Sequence, residues 1–153
     1  MPNIRWLLAL ITRVHRFVYL KSGGRFGHRF GGQPMLLLHT VGRKSGEERI
    51  TPLLYVSDGD RWLLVASNAG DDRPPAWWLN LRDAGEAIIQ VGRERHWVRA
   101  RAAEPDERPG LWKRACDQYP NYQAYEERTD RPIPVVILEP VVILEPGVIL
   151  ERS

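Results

Sequence analysis

Five strand-length stretches, residues 35–41, 48–56, 61–67, 86–91 and 94–102, are joined mostly by links of two to six residues. Parallel neighbours need a crossover of a dozen residues or more, whereas antiparallel neighbours close within a few. Gly42-Arg43-Lys44-Ser45-Gly46, Asp58-Gly59-Asp60 and Gly92-Arg93 are closures of the short kind, each built on glycine. Link length alone therefore demands antiparallel hairpins. After a polar loop over 68–73, Pro74-Pro75 opens a short helix over 76–81, because proline is tolerated in a first helical turn, and Asp83-Ala84-Gly85 ends it. Helical spacing returns over 105–119 through Leu111, Trp112 and Ala115, and a tyrosine-rich segment, helical or looped, leads to a last strand over 134–139. The order β-β-β-α-β-β-α-β argues against a doubly wound parallel sheet. It predicts a mainly β, α+β fold: a small barrel of antiparallel strands with helices packed outside.

The chain has 153 residues, 43% of them hydrophobic and 27% charged, enough for one domain that buries roughly 70% of its unfolded surface. Four regions follow. Residues 1–20 contain an amphipathic basic helix over 4–20, with Leu7, Leu10, Ile11, Val14, Phe17 and Val18 on one face and Arg5, Arg13 and Arg16 opposite. Its arginines interrupt the apolar run well short of the ~20 residues that cross a bilayer, so the segment is expected neither to span nor to export. Its apolar face packs on the domain's own core or lies on an anionic membrane with Trp6 among the headgroups. Residues 21–34 form a glycine- and arginine-rich connector, and residues 35–140 the barrel. Residues 141–153 form an extension in which Val-Val-Ile-Leu-Glu-Pro, already present at 135–140, recurs at 141–146 and in part at 148–151. Six residues is too short a period for a solenoid.

Residues 1–46 carry eight Lys or Arg and no acid; the remaining 107 carry 14 basic and 19 acidic residues. Such a localised positive field attracts membranes, phosphate-bearing cofactors or nucleic acid. Nucleic acid is not expected, because no recognition motif accompanies the charge. The single Cys116 excludes an internal disulfide and points to a reducing cytoplasm, while four scattered histidines assemble no zinc pattern, so no metal is expected. Motifs of nucleotide hydrolysis, serine hydrolysis and zinc proteolysis are missing.

Three segments carry chemistry. The turn at 42–46 sets Arg43, Lys44 and Ser45 between glycines, with Arg49 just beyond, so that cations, a hydroxyl and backbone N–H groups converge on an anion or form a solvated tip. The run Val65-Ala66-Ser67-Asn68-Ala69-Gly70 ends a strand in small residues ahead of Trp77 and Trp78. Small residues admit a ligand close to the backbone, and an indole covers a flat ring when it is not core. Tyr119, Tyr122 and Tyr125, spaced i, i+3, i+6, share a broad face if the segment is helical.

Thr40-Val41-Gly42-Arg43-Lys44-Ser45-Gly46 with Arg49 and Pro52, then 65–70 with Trp77-Trp78-Leu79-Asn80-Leu81, and finally Tyr119-Pro120-Asn121-Tyr122 through Thr129-Asp130-Arg131, together resemble the deazaflavin (F420)-dependent nitroreductase and quinone reductase family of actinobacterial split β-barrel enzymes. The similarity spans about 35–140 and extends to the first basic helix. It implies reduced coenzyme F420, its phosphate and oligoglutamate tail held near Arg43, Lys44, Ser45 and Arg49. The stretches Ile50, Thr51, Pro52, Leu53 and Leu54, then Val65, Ala66, Ser67 and Asn68, then Ala76, Trp77, Trp78, Leu79 and Asn80 would line the ring and ribityl parts. Tyr122 would touch the cofactor, Tyr119 and Tyr125 would close the substrate side, and Ser67 or Tyr122 would donate the proton that accompanies hydride transfer. The acceptor implied is a quinone or another electron-poor ring such as a nitroaromatic. The chain departs from the family at Asn68, where a lysine is common, and at Leu54, where an aromatic is common. Two other readings remain open at this level: an FMN-dependent split-barrel oxidoreductase, and a non-catalytic deazaflavin carrier or peripheral protein on the inner face of the cell membrane.

Overall fold

The computed structural model describes residues 29–30, 32–145 and 148–151, with the side chains of 32–141. The helix expected over 4–20 and most of the connector lie outside the described residues. The strands are β1 (Arg29–Phe30), β2 (Gln33–Val41), β3 (Glu48–Leu54), β4 (Val56–Asp58), β5 (Arg61–Val65), β6 (Glu86–Val91), β7 (Glu94–Ala102), β8 (Val135–Glu145) and β9 (Val148–Glu151). The helices are α1 (Ala76–Ala84), α2 (Arg108–Gln118) and α3 (Asn121–Glu127).

Every ladder is antiparallel. Hydrogen-bonded neighbours run β3-β2-β6-β7-β8-β5-β4, with β1 added on β2 and β9 on β8. The two ends of this seven-strand path, β3 and β4, are consecutive in the chain and separated only by Tyr55. The strand expected over 48–56 is therefore two strands: its first part pairs with β2 and its second with β5. At the break the Tyr55 carbonyl accepts a hydrogen bond from Gln118 Nε2 at 2.8 Å, and the Tyr55 N–H donates to Pro34 at 3.2 Å, so the bend is held by α2 and the start of β2. The mainly β, α+β split barrel of the sequence reading is the fold observed.

Alternation along β5 and β8 builds two cores back to back. Leu64, Val136 and Leu138 join Leu36, Leu38, Ile89 and Val98 inside the barrel, where Trp78 and Leu81 of α1 close the mouth. Leu63, Val65, Val135 and Ile137 face the other way, under Leu111 and Ala115 of α2 and Tyr122 of α3. Both faces of these strands are buried, which explains why Val-Val-Ile-Leu reads as a continuous apolar run.

Several boundaries differ from the sequence expectation. The connector loses residues 33–34 to β2, and the strand over 61–67 stops at Val65, two residues short of a left-handed turn that begins at Asn68. Helix α1 runs on to Ala84, and α2 is shorter at both ends. The last strand continues to Glu145, because the repeated copy keeps the β-branched composition, and β9 folds back on it from Val141↔Glu151 to Glu145↔Val148. The repeat is thus a hairpin extension of β8.

Leu138 pairs with Trp62 on one side and Ala100 on the other and is fully buried. Leu138→Ala is expected to lower the unfolding free energy by ~2–5 kcal/mol in urea denaturation at unchanged m-value, the range for a buried leucine cavity.

Candidate functional site

The β2–β3 turn is rigid despite its glycines. Gly42 N–H donates to the Glu47 carbonyl at 2.8 Å and Gly46 N–H to the Gly42 carbonyl at 2.9 Å. A Cβ on Gly42 would lie 2.6 Å from Ser45 Oγ, so a larger residue there would make that hydroxyl shift. Ser45 Oγ accepts from Glu47 N–H at 3.1 Å and lies 3.5 Å from Arg49 Nη2.

The turn is fastened to α1 by a single amide. Asn80 Oδ1 accepts from Arg43 N–H at 3.1 Å and from Arg43 Nη1 at 2.9 Å, and Asn80 is only 6% exposed. Arg43 is thereby oriented by a neutral group, and no carboxylate among the described residues pairs with its charge. Lys44 has no carboxylate partner among the described residues, and Arg49 meets only Glu47, at 3.7 Å between two exposed groups, a pair that contributes little in water.

A cavity of about 340 Å³ opens between turn and helix, walled by Arg43, Lys44, Ser45 and Arg49 on one side and by Ala76, Trp77 and Asn80 on the other. Thr40 and Thr51 form its floor, and the Thr40 hydroxyl is buried without a hydrogen-bond partner. A second cavity of about 400 Å³ shares Thr51, Ala76 and Trp77 with the first and reaches Asn68, Arg73 and Pro74. The two make one groove, cationic at the turn and crossed by an indole.

Its far bank is the turn Asn68–Gly70, which follows β5 through Ser67. Asn68 (φ 47°) and Ala69 (φ 53°) are the non-glycine residues in the left-handed region among the described residues, a conformation that costs roughly 1–2 kcal/mol per residue. Gly70 (φ 80°) follows, and a Cβ there would sit 2.9 Å from the Tyr125 carbonyl. Arg131 holds this turn from behind: its guanidinium donates to the carbonyls of Ser67 at 2.8 Å, Asp71 at 2.9 Å and Ala66 at 3.3 Å. Asn68 Nδ2 in turn donates to the Arg73 carbonyl at 2.9 Å.

The expected site residues are brought together unevenly. Arg43, Lys44, Ser45, Arg49, Thr51, Asn68, Ala76, Trp77 and Asn80 line the groove. Strand alternation sends Leu53 to the barrel core and Leu54 to the second core. Val65, Ala66 and Ser67 are buried at the end of β5, and Ile50, Pro52 and Leu79 are partly buried, none of them among the groove's lining residues. The paired indoles divide: Trp77 faces the groove and Trp78, 6% exposed, is core.

The tyrosines converge, but not along one helix. Tyr119 caps α2 in an extended conformation, while Tyr122 and Tyr125 lie on α3. Their ring centroids are 4.9–6.4 Å apart, and Asn121 Nδ2 donates to Tyr119 Oη at 2.9 Å. Tyr122 is buried in the second core, which pushes its phenol far above the ordinary value, and burial with the Tyr119 hydrogen bond pushes Tyr125 up to about 12. The Tyr125 backbone packs against Gly70 of the turn, and none of the three tyrosines lines either cavity of the groove.

Sequence reasoning missed Thr40, Arg73 and Pro74 as groove residues, the side-chain role of Asn80, and Arg131 as the brace of the turn. The available signal for Asn80 was one amide in the apolar run Trp-Trp-Leu-Asn-Leu, where a buried polar side chain needs a partner. Arg131 gave none, since its partners are backbone carbonyls 60 to 65 residues away.

The model of the F420H(2)-dependent quinone reductase family matches residues 11–140. The chain belongs to that family. An F420H(2)-dependent quinone reductase of Mycobacterium tuberculosis is 42% identical over 132 residues, covering 84% of this chain and 89% of that protein. A solved F420-H2 dependent reductase is 38% identical with a TM-score of 0.64, over 69% of this chain and 94% of the other. A structure described as a domain-swapped dimer is 35% identical with a TM-score of 0.66, over 83% and 96%. In this member of the quinone reductase family no described helix is long and apolar enough to cross a membrane.

Asn80→Ala is expected to cost about 0.5–1.5 kcal/mol in urea unfolding, the range for the net loss of an intramolecular hydrogen bond whose donor can turn to water, with faster amide exchange at Arg43. For Tyr125, a folded pKa above the unfolded ~10 means that the neutral phenol is favoured by the fold. Its contribution is whole below pH 10 and is lost as pH rises through about 12. Tyr125→Phe should therefore flatten the alkaline loss of stability between pH 10 and 12, followed by denaturant unfolding.

Proposed function

We propose that the groove running from Arg43 past Trp77 to Asn68 holds reduced F420 and that the chain directs its hydride to a quinone. The observation that carries this is the charge of Arg43 and Lys44, which no carboxylate among the described residues compensates, with Arg43 held by a neutral amide against an aromatic-walled cleft. A polyanionic cofactor is the ligand such a cleft favours. The residues fit that group on one further count: the buried Thr40 hydroxyl in the cavity floor has no hydrogen-bond partner among the described residues.

Arg43, Lys44, Ser45 and Arg49 would hold the phosphate and oligoglutamate, and Thr51, Ala76 and Trp77 would flank the ring and ribityl portion. When bound, reduced F420 supplies the hydride, so the protein's part is orientation, electrostatics and a proton. Of the two proton donors suggested by the sequence, Ser67 stands at the foot of the turn that banks the groove and Tyr122 in the second core, and neither lines the groove itself. The Tyr122 phenol, kept neutral by burial, releases its proton reluctantly and serves packing. Tyr119 and Tyr125 then support the acceptor side through the turn rather than by contact. Nitroaromatics, electron-poor like quinones, would be reduced at the same place. The arginines within residues 4–20 would bring the enzyme to anionic membranes where lipid-soluble quinones reside.

Arg43→Ala and Lys44→Ala are each expected to weaken F420 binding by ~1.5–3 kcal/mol, roughly 10- to 150-fold, in a fluorescence titration. Unchanged affinity in both would remove the cradle from this turn, and a preference of the unaltered protein for FMN would overturn the cofactor assignment. Deleting residues 1–20 should abolish co-sedimentation with anionic liposomes while sparing cofactor affinity; liposome retention after the deletion would count against the membrane role.

A further inference from the structure

We propose that Arg131 is a positioning residue for hydride transfer, acting through the left-handed turn that banks the groove; this rests on the cofactor site proposed above. Three observations converge on it. The turn contains two successive non-glycine residues in a conformation that L side chains rarely adopt, Asn68 and Ala69. It stands at the groove, with Asn68 in the wall that continues from Trp77. It is over-determined from outside. The Arg131 guanidinium takes the carbonyls of Ala66, Ser67 and Asp71, Arg128 Nη1 approaches the Ala69 carbonyl at 3.4 Å, and Thr129 Oγ1 donates to Asp72 Oδ1 at 2.8 Å.

The segment 128–131 thus wraps residues 66–72 in side-chain hydrogen bonds while touching neither cavity. Strain held at a ligand wall by groups outside it sets the wall's geometry in advance of binding. A planar guanidinium suits the task, since one group with fixed donors reaches three carbonyls at once, which a lysine ammonium cannot reproduce in the same geometry. The cationic end of the groove is built separately, from the β2–β3 turn and Asn80. Loosening the turn should therefore disturb the reacting end of a bound cofactor more than its anionic end.

The test compares the unaltered protein with Arg131→Lys, Ala69→Gly and the double variant. Glycine adopts the left-handed conformation without strain, so Ala69→Gly should make the turn less dependent on its brace. Arg131→Lys is expected to lower kcat with menadione at saturating reduced F420 by about tenfold or more, with the Kd of F420 moved less than about threefold. The double variant should recover most of that kcat. Independently of any cofactor, amide exchange at Gly70 and Asp71, whose N–H groups close the turn on Ser67 and Asn68, should accelerate in Arg131→Lys. Four results would overturn the proposal: unchanged exchange at those amides, kcat within about twofold of the unaltered protein, a Kd that worsens in step with kcat, or a loss that Ala69→Gly does not relieve. Failure of the cofactor site itself is distinguishable, because the unaltered protein would then neither bind F420 nor reduce menadione while the exchange effect persisted.

Discussion

Two-sided burial of β5 and β8 is the constraint on which the remaining structure depends. Each strand supplies alternate residues to the barrel interior and to the layer under α2 and α3, so a single ladder anchors both cores. A one-residue slip would exchange the two sets, and the penalty is incurred on both faces at once. That fixes the end of β5 in space, and with it the strained turn that follows. It also fixes where α1 must lie, since Trp78 and Leu81 close the interior that β8 helps to fill.

The groove is the product of two independently braced pieces. At one end, a glycine-bearing turn that would be mobile alone is tied to α1 through the Asn80 amide. A carboxylate in that place would have oriented Arg43 equally well but cancelled its charge; a neutral acceptor does the first without the second. At the other end, the chain leaves β5 in a left-handed conformation that backbone preference opposes, and Arg131 offsets the cost through three carbonyls. The indole of Trp77 lies between these ends, its neighbour Trp78 having been drawn into the core by the helical turn of about 100° per residue.

Much of this was legible in advance. Short glycine-bearing links allow only antiparallel hairpins, and the observed ladders obey that rule throughout. The cationic turn was readable because its residues are contiguous, so sequence neighbours are also neighbours in the groove. The tyrosines were harder. Spacing of i, i+3, i+6 suggests one helical face, but Tyr119 ends α2 while its partners sit on α3, and the rings meet because two helices pack. Leu53 and Leu54 were read as ring contacts, whereas strand alternation sends them to opposite cores. Asn68 and Arg131 were noticed only as members of a pattern.

The amino-acid sequence by itself determined the approximate position of most strands and of the first two described helices, the antiparallel pairing of local hairpins, the asymmetry of charge and the family, because these depend on composition and on residues close along the chain. Only the tertiary structure decided that the stretch 48–56 divides at Tyr55 into β3 and β4 on opposite ends of the sheet path, that Trp77 rather than Trp78 faces the groove, that Asn80 orients Arg43, and that Arg131 braces a turn more than 60 residues away. Those outcomes depend on which faces meet and which buried polar groups find partners, and such meetings are settled by packing between elements far apart in the chain.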